Sequence, residues 1–66
     1  MANKQDLQDL IQNILNIQEN LNKDLNVVGG FDKWHAAAKR ARKSSLELTK
    51  LYKEYRKISI ELEKQD

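Results

Sequence analysis

Gly29-Gly30 is the only strong break in a chain that has no proline and no other glycine. Glycine enters left-handed backbone space at little steric cost, and proline is the other common helix breaker. One punctuation mark therefore leaves room for two long elements and little else. Before it, the apolar residues in helical step are Leu7, Leu10, Ile11, Ile14, Ile17, Leu21, Leu25 and Val28. Their steps of three or four, with one of one, place them along one side of a helix and do not alternate as a strand would. In heptad terms Leu7, Ile14, Leu21 and Val28 share position a. Leu10 and Ile17 share d, and Ile11 and Leu25 share e. Asp24 takes the next d, and Leu15 falls off the stripe. Asn and Gln fill much of the outer face.

After the break, Trp34, Ala41, Leu48, Tyr55 and Leu62 recur every seven residues. Ala37, Ser44, Leu51 and Ile58 lie three residues on, nearly one turn, at d, with Ala38, Ser45, Tyr52 and Ser59 at e. The seam starts thin, where small residues permit close helix approach, and ends bulky. These patterns predict an all-α fold, a two-helix antiparallel hairpin with the second helix longer. The expected single domain spans 1–66, with a helix over about 4–27, a turn at 28–32 and a helix over about 33–64. The glycines are expected at the first helix's left-handed C-terminus. Asp32 is expected to cap the second helix, with Phe31 stapling its start.

At 1.5 Å per residue the helices are roughly 35 and roughly 48 Å long, so the second overhangs by about nine residues. Tyr55, Ile58 and Leu62 would then lie uncovered, as interface residues do. A chain of 66 residues buries a small fraction of its surface and usually needs help to be stable, and with no Cys it has no disulfide. A homodimer, a four-helix bundle joined through Leu48, Leu51, Tyr52, Tyr55, Ile58 and Leu62, is the expected remedy.

Catalytic chemistry finds no foothold. The glycine pair lacks the further glycines and Lys of a phosphate loop, and the acids show no metal-ligand spacing. His35 is alone and cannot build a metal site. The expectation is a non-enzyme with no cofactor. No apolar run approaches the ~18 residues of a membrane span. The N-terminus, MANKQDLQDL, lacks a secretory pattern, so a soluble cytoplasmic protein with no membrane partner is expected.

Charge is the informative property. The net charge is +2, yet residues 1–32 carry two bases against five acids and residues 33–66 ten bases against five acids. In the heptad frame Arg42 and Arg56 fall at b, Lys43, Lys50 and Lys57 at c, and Lys39 and Lys53 at f, opposite the seam. Glu47, Glu54 and Glu61 line one flank at g. Lys and Arg are good helix formers on any solvated face. A basic stripe this poor in acids also matches a phosphate-backbone binder. Both readings stay open on composition. Lys39, Arg40, Arg42, Lys43, Lys50, Lys53, Arg56 and Lys57 are the candidate DNA contacts. Trp34, Tyr52 and Tyr55 can stack on bases, but their helical spacing favours packing. Leu46 and Ile60 interrupt the basic face.

The run AAAKRARKSSLELTKLYKEYRKISIELEK, residues 36–64, resembles the helical N-terminal region of the chlamydial-type bacterial linker-histone-like proteins. The likeness lies in Ala36 to Ala38, the basic Arg40 to Lys43, Ser44-Ser45, and LYKEYRKISIELEK from Leu51 to Lys64. The resemblance implies a small nucleoid-associated protein with a dimerising helical region and nonspecific DNA compaction carried largely by a Lys/Ala-rich tail. The present sequence runs to an acidic Glu61-Leu62-Glu63-Lys64-Gln65-Asp66, so a self-associating domain with weak DNA affinity is expected, not strong condensation. The alternative is a helical-hairpin protein–protein interaction module or small regulator, such as a phage-encoded one, with no nucleic-acid role, docking through Tyr55, Ile58, Ile60 and Leu62.

Overall fold

A computed structural model describes residues 3–65; positions 1, 2 and 66 of the expected domain lie outside the described residues. It contains two helices, α1 (Lys4–Gly30) and α2 (His35–Gln65). Asn3 starts α1 with a reciprocal cap. Its side-chain oxygen accepts from the Asp6 N–H at 2.9 Å, and the Asp6 carboxylate accepts from the Asn3 N–H at 3.2 Å. Two otherwise orphaned N–H groups are thereby satisfied, and the carboxylate complements the positive end of the helix.

The helices fold back on each other as an antiparallel rod whose Cα extents are 49 × 15 × 13 Å. The all-α hairpin expected from the periodicity is what forms. Leu10, Ile14 and Leu48 make the core, and Ile17, Leu21, Leu51 and Ile58 pack against it. Toward the turn the interface thins to Ala37, Ala38 and Ala41, all buried. The small side chains permit close approach there, in keeping with the thin start of the second seam.

Three expectations need correction, and all three trace to the turn. First, α1 does not stop at Val27. It runs through both glycines to Gly30, and neither glycine has a positive φ. The left-handed residues are Phe31 (φ 53°) and Lys33 (φ 49°). Second, Asp32 does not cap α2, because the helix begins three residues later at His35. Phe31 does meet the helix start, its ring edge-on to Trp34 at 5.6 Å, and Trp34 stacks on the exposed His35 at 4.4 Å. Third, no long apolar overhang exists. Leu62 is only 8 % exposed and Ile58 is half-buried.

The covered end of α2 follows from the displaced turn. Moving the centre of an antiparallel turn by about two to three residues shifts every cross-hairpin partner by twice that number, because one arm lengthens as the other shortens. Leu62 thereby comes beside Leu7 and Ile11 and no longer projects past the first helix. Magnitudes explain why this register wins. A left-handed non-glycine residue costs about 1–2 kcal/mol. Burying a Leu or Ile side chain gains about 1.5–3 kcal/mol. Two strained turn residues are offset by bringing Ile58 and Leu62 under cover.

The mismatch between turn chemistry and turn position is open to test. A Cβ added at Gly29 meets nothing within 4 Å, and helical glycine is about 1 kcal/mol worse than alanine. Glycine at Lys33 removes left-handed strain. The double variant Gly29→Ala, Lys33→Gly is expected to be more stable by about 1–2 kcal/mol. Thermal unfolding followed by circular dichroism checks this, and an unchanged or lower midpoint contradicts the assigned turn.

Candidate nucleic-acid interface

α2 carries every candidate DNA contact. Lys39, Arg40, Arg42, Lys43, Lys50, Lys53, Arg56 and Lys57 are all exposed. Lys39, Lys43, Lys50, Lys53 and Lys57 are separated by steps of four, seven, three and four, which keeps them on one line down the helix. That line lies opposite Ala41, Leu48 and Leu62, the residues α2 buries against α1. Packing α1 against the apolar stripe thus turns the lysines outward, and Arg42 stands beside them. The run from Lys39 to Lys57 covers about 27 Å of helix, a length over which duplex DNA presents about sixteen phosphates.

Arg40 behaves differently from the rest. Its Nε donates to Asp24 Oδ1 at 3.1 Å, and its Nη2 lies 3.0 Å from the same oxygen. Asp24 is the more enclosed partner, with its side chain 14 % exposed. This explains the acid found at a seam position of α1: it receives an Arg from the facing helix. Among the described residues the other seven candidate cations form no ion pair. Glu54 does not neutralise Lys50, Lys53 or Lys57 across the helix turn, although the spacing allows such pairs. Arg42 and Arg56 use only their backbone carbonyls locally, accepting from Ser45 at 2.8 Å and from Ser59 at 3.2 Å.

The rod has distinct sides. The edge of α2 is cationic. One broad side gathers Asp6, Asp9 and Glu54 around Leu10, Leu51 and Ile58, and toward the turn its charge is mixed, with Asp24 and Glu47 beside Lys23, Arg40 and Lys43. The opposite broad side is uncharged over its middle, where Ile11, Leu15, Gln18, Tyr52 and Tyr55 surround a shallow apolar groove. Gln18 spans it, its amide donating to the Tyr52 hydroxyl at 2.6 Å.

These placements redistribute the expected dimer residues. Leu48 and Leu62 are buried inside the hairpin, and Leu51 and Ile58 pack against its core. Tyr52 and Tyr55 alone of that set stand at the surface, 36 % and 40 % exposed. The α1 residues beside them, Ile11 and Leu15, were not expected at a site. Their signal was present in the sequence: Ile11 lies at e, to one side of the seam, and Leu15 lies off it. Leu46, 68 % exposed, sits among the outward lysines, and Ile60 is also exposed. Among the described residues no cluster of three or more His, Asp or Glu gathers as a metal site, and no helix is long and apolar enough to cross a membrane.

The family model for histone H1-like protein Hc1 matches residues 4–65. The chain belongs to that family. No curated protein and no solved structure matches it. The family match runs through both helices and the turn, so the cationic edge of this histone H1-like chain, its Asp24–Arg40 link and its tyrosine-bearing side all fall inside the matched region.

Proposed function

We propose that this histone-like protein is nucleoid-associated and, as a self-associated domain, lays the outer edge of α2 along the phosphate backbone of duplex DNA. The observation that carries the reading is the line of exposed cations free of ion pairs, on a helix of a histone H1-like chain. Lysines on a straight helix face offer point charges to phosphates and little to base edges, so sequence is not read. Binding is driven by release of counterions from the DNA. The acidic broad side disfavours any orientation but edge-on, because its carboxylates would face phosphates. Location at the bacterial nucleoid, in the cytoplasm, follows from this reading.

Fluorescence anisotropy with two short duplexes of unrelated sequence tests it. Both are expected to bind with the same affinity at low salt. The logarithm of the binding constant should fall linearly with the logarithm of salt concentration, by about 0.9 per phosphate contacted. No binding at tens of micromolar protein in low salt overturns the proposal. A strong preference for one duplex removes its sequence-independent part.

A further inference from the structure

The broad side away from the carboxylates is uncharged over its middle. We infer that it is the contact between two copies of this chain. This rests on the self-association in the reading above and names its surface: Ile11, Leu15 and Leu25 on α1 with Tyr52 and Tyr55 on α2. Three observations carry it.

The first is area. A compact monomer of 7.7 kDa exposes about 4300 Å², and this hairpin exposes 5279 Å², an excess of roughly 900–1000 Å². A stable interface buries about 800 Å² per partner. The excess is therefore the area that one standard contact removes from each chain.

The second is where the apolar excess lies. Ile11 and Leu25 are two heptads apart on one line of α1, and Leu15 is one turn beyond Ile11 on the same side. They are 37 %, 49 % and 52 % exposed. Tyr52 and Tyr55 add two partly exposed aromatic rings from α2 to the same groove. Tyrosine is enriched at interface centres because it brings large apolar area with few torsions to freeze and a polar tip. The tip of Tyr52 is already held by Gln18, so its ring is oriented before any partner arrives.

The third is charge. Copies of one chain meet with identical charges, so a self-contact must avoid like charges facing each other. The cationic edge would repel its own copy, and so would the carboxylates of the acidic side. Ile11, Ile14, Leu15, Gln18, Tyr52 and Tyr55 include no charge at all. An isologous pair through this side closes on itself, as a two-fold contact does, and makes a four-helix bundle. Both cationic edges stay outside the contact.

Sedimentation equilibrium of the full chain at tens of micromolar, with helicity checked by circular dichroism, tests the assignment. Wild type is expected at twice the 7.7 kDa chain mass. Leu15→Glu and, separately, Leu25→Glu are surface changes that keep the helical spectrum. Each should weaken pairing by roughly tenfold or more, because a carboxylate is forced into an apolar contact. Leu46→Glu, on the cationic edge, should leave the pair intact. A monomeric wild type, a larger assembly, or a pair that survives both Leu15→Glu and Leu25→Glu overturns the inference. So does a pair abolished by Leu46→Glu alone. A monomeric wild type that still binds duplex DNA removes the pairing and leaves the DNA reading standing. A pair that binds no DNA does the reverse.

Discussion

Leu48→Ala is expected to remove a large share, roughly half, of the stability of a single hairpin. Leu48 is 3 % exposed and packs with Leu10 and Ile14 at the centre of the core. Truncating a buried Leu to Ala costs about 2–5 kcal/mol, through lost transfer energy and the cavity left behind. Domains gain only about 0.05–0.15 kcal/mol per residue in net stability, so 66 residues give about 3–10 kcal/mol in all. With two helices and no third layer, nothing behind Leu48 can close the gap. Urea unfolding followed by helicity measures the loss. Leu46→Ala is the matched control: the same chemical change at a residue 68 % exposed should shift stability by less than about 0.5 kcal/mol. Similar losses at the two positions would contradict the packing, since the residues lie on opposite faces of α2.

The second large effect concerns the cationic edge. Replacing Lys39, Lys43, Lys50 and Lys57 together by Gln should leave the hairpin folded, because all four are exposed and free of ion pairs. Duplex affinity at low salt should fall by roughly a hundredfold or more, and the salt dependence should flatten by about 0.9 for each phosphate that is no longer neutralised. Arg40→Gln supplies the contrast. That guanidinium already holds Asp24, so its loss should register in stability, by about 0.5–1 kcal/mol, more than in the salt slope. Anisotropy titrations across a salt series separate the two outcomes. A quadruple variant with unchanged slope would mean that phosphates meet another surface.

The seams of both helices were legible because burial on a helix repeats every three to four residues. Leu10, Ile14 and Leu48 follow from that periodicity alone. Outward placement of Lys39, Lys43, Lys50, Lys53 and Lys57 was legible for the same reason, since the face opposite a seam meets water. The turn was not. Gly29-Gly30 is strong local punctuation, yet the left-handed residues are Phe31 and Lys33. A preference of about 1 kcal/mol at the glycines yields to a register that buries Ile58 and Leu62. The two broad sides of the rod were legible only in part, the acidic one through Glu47 and Glu54 on one flank of α2. A heptad frame says which residues leave the seam, but each side combines residues from both helices.

The sequence by itself determined two amphipathic helices, the break between them, and the segregation of bases from apolar residues on the second. These are one-dimensional properties, set by helical periodicity and by charges in fixed order. Tertiary structure alone decided the register, and the rest depends on it. Register brought Leu62 under cover, joined Arg40 to Asp24, and gathered Ile11 and Leu15 with Tyr52 and Tyr55 into an uncharged side. The physical reason is that an antiparallel pairing doubles any shift of its turn. Where the chain reverses is settled by the whole interface, not by the residues best suited to turning.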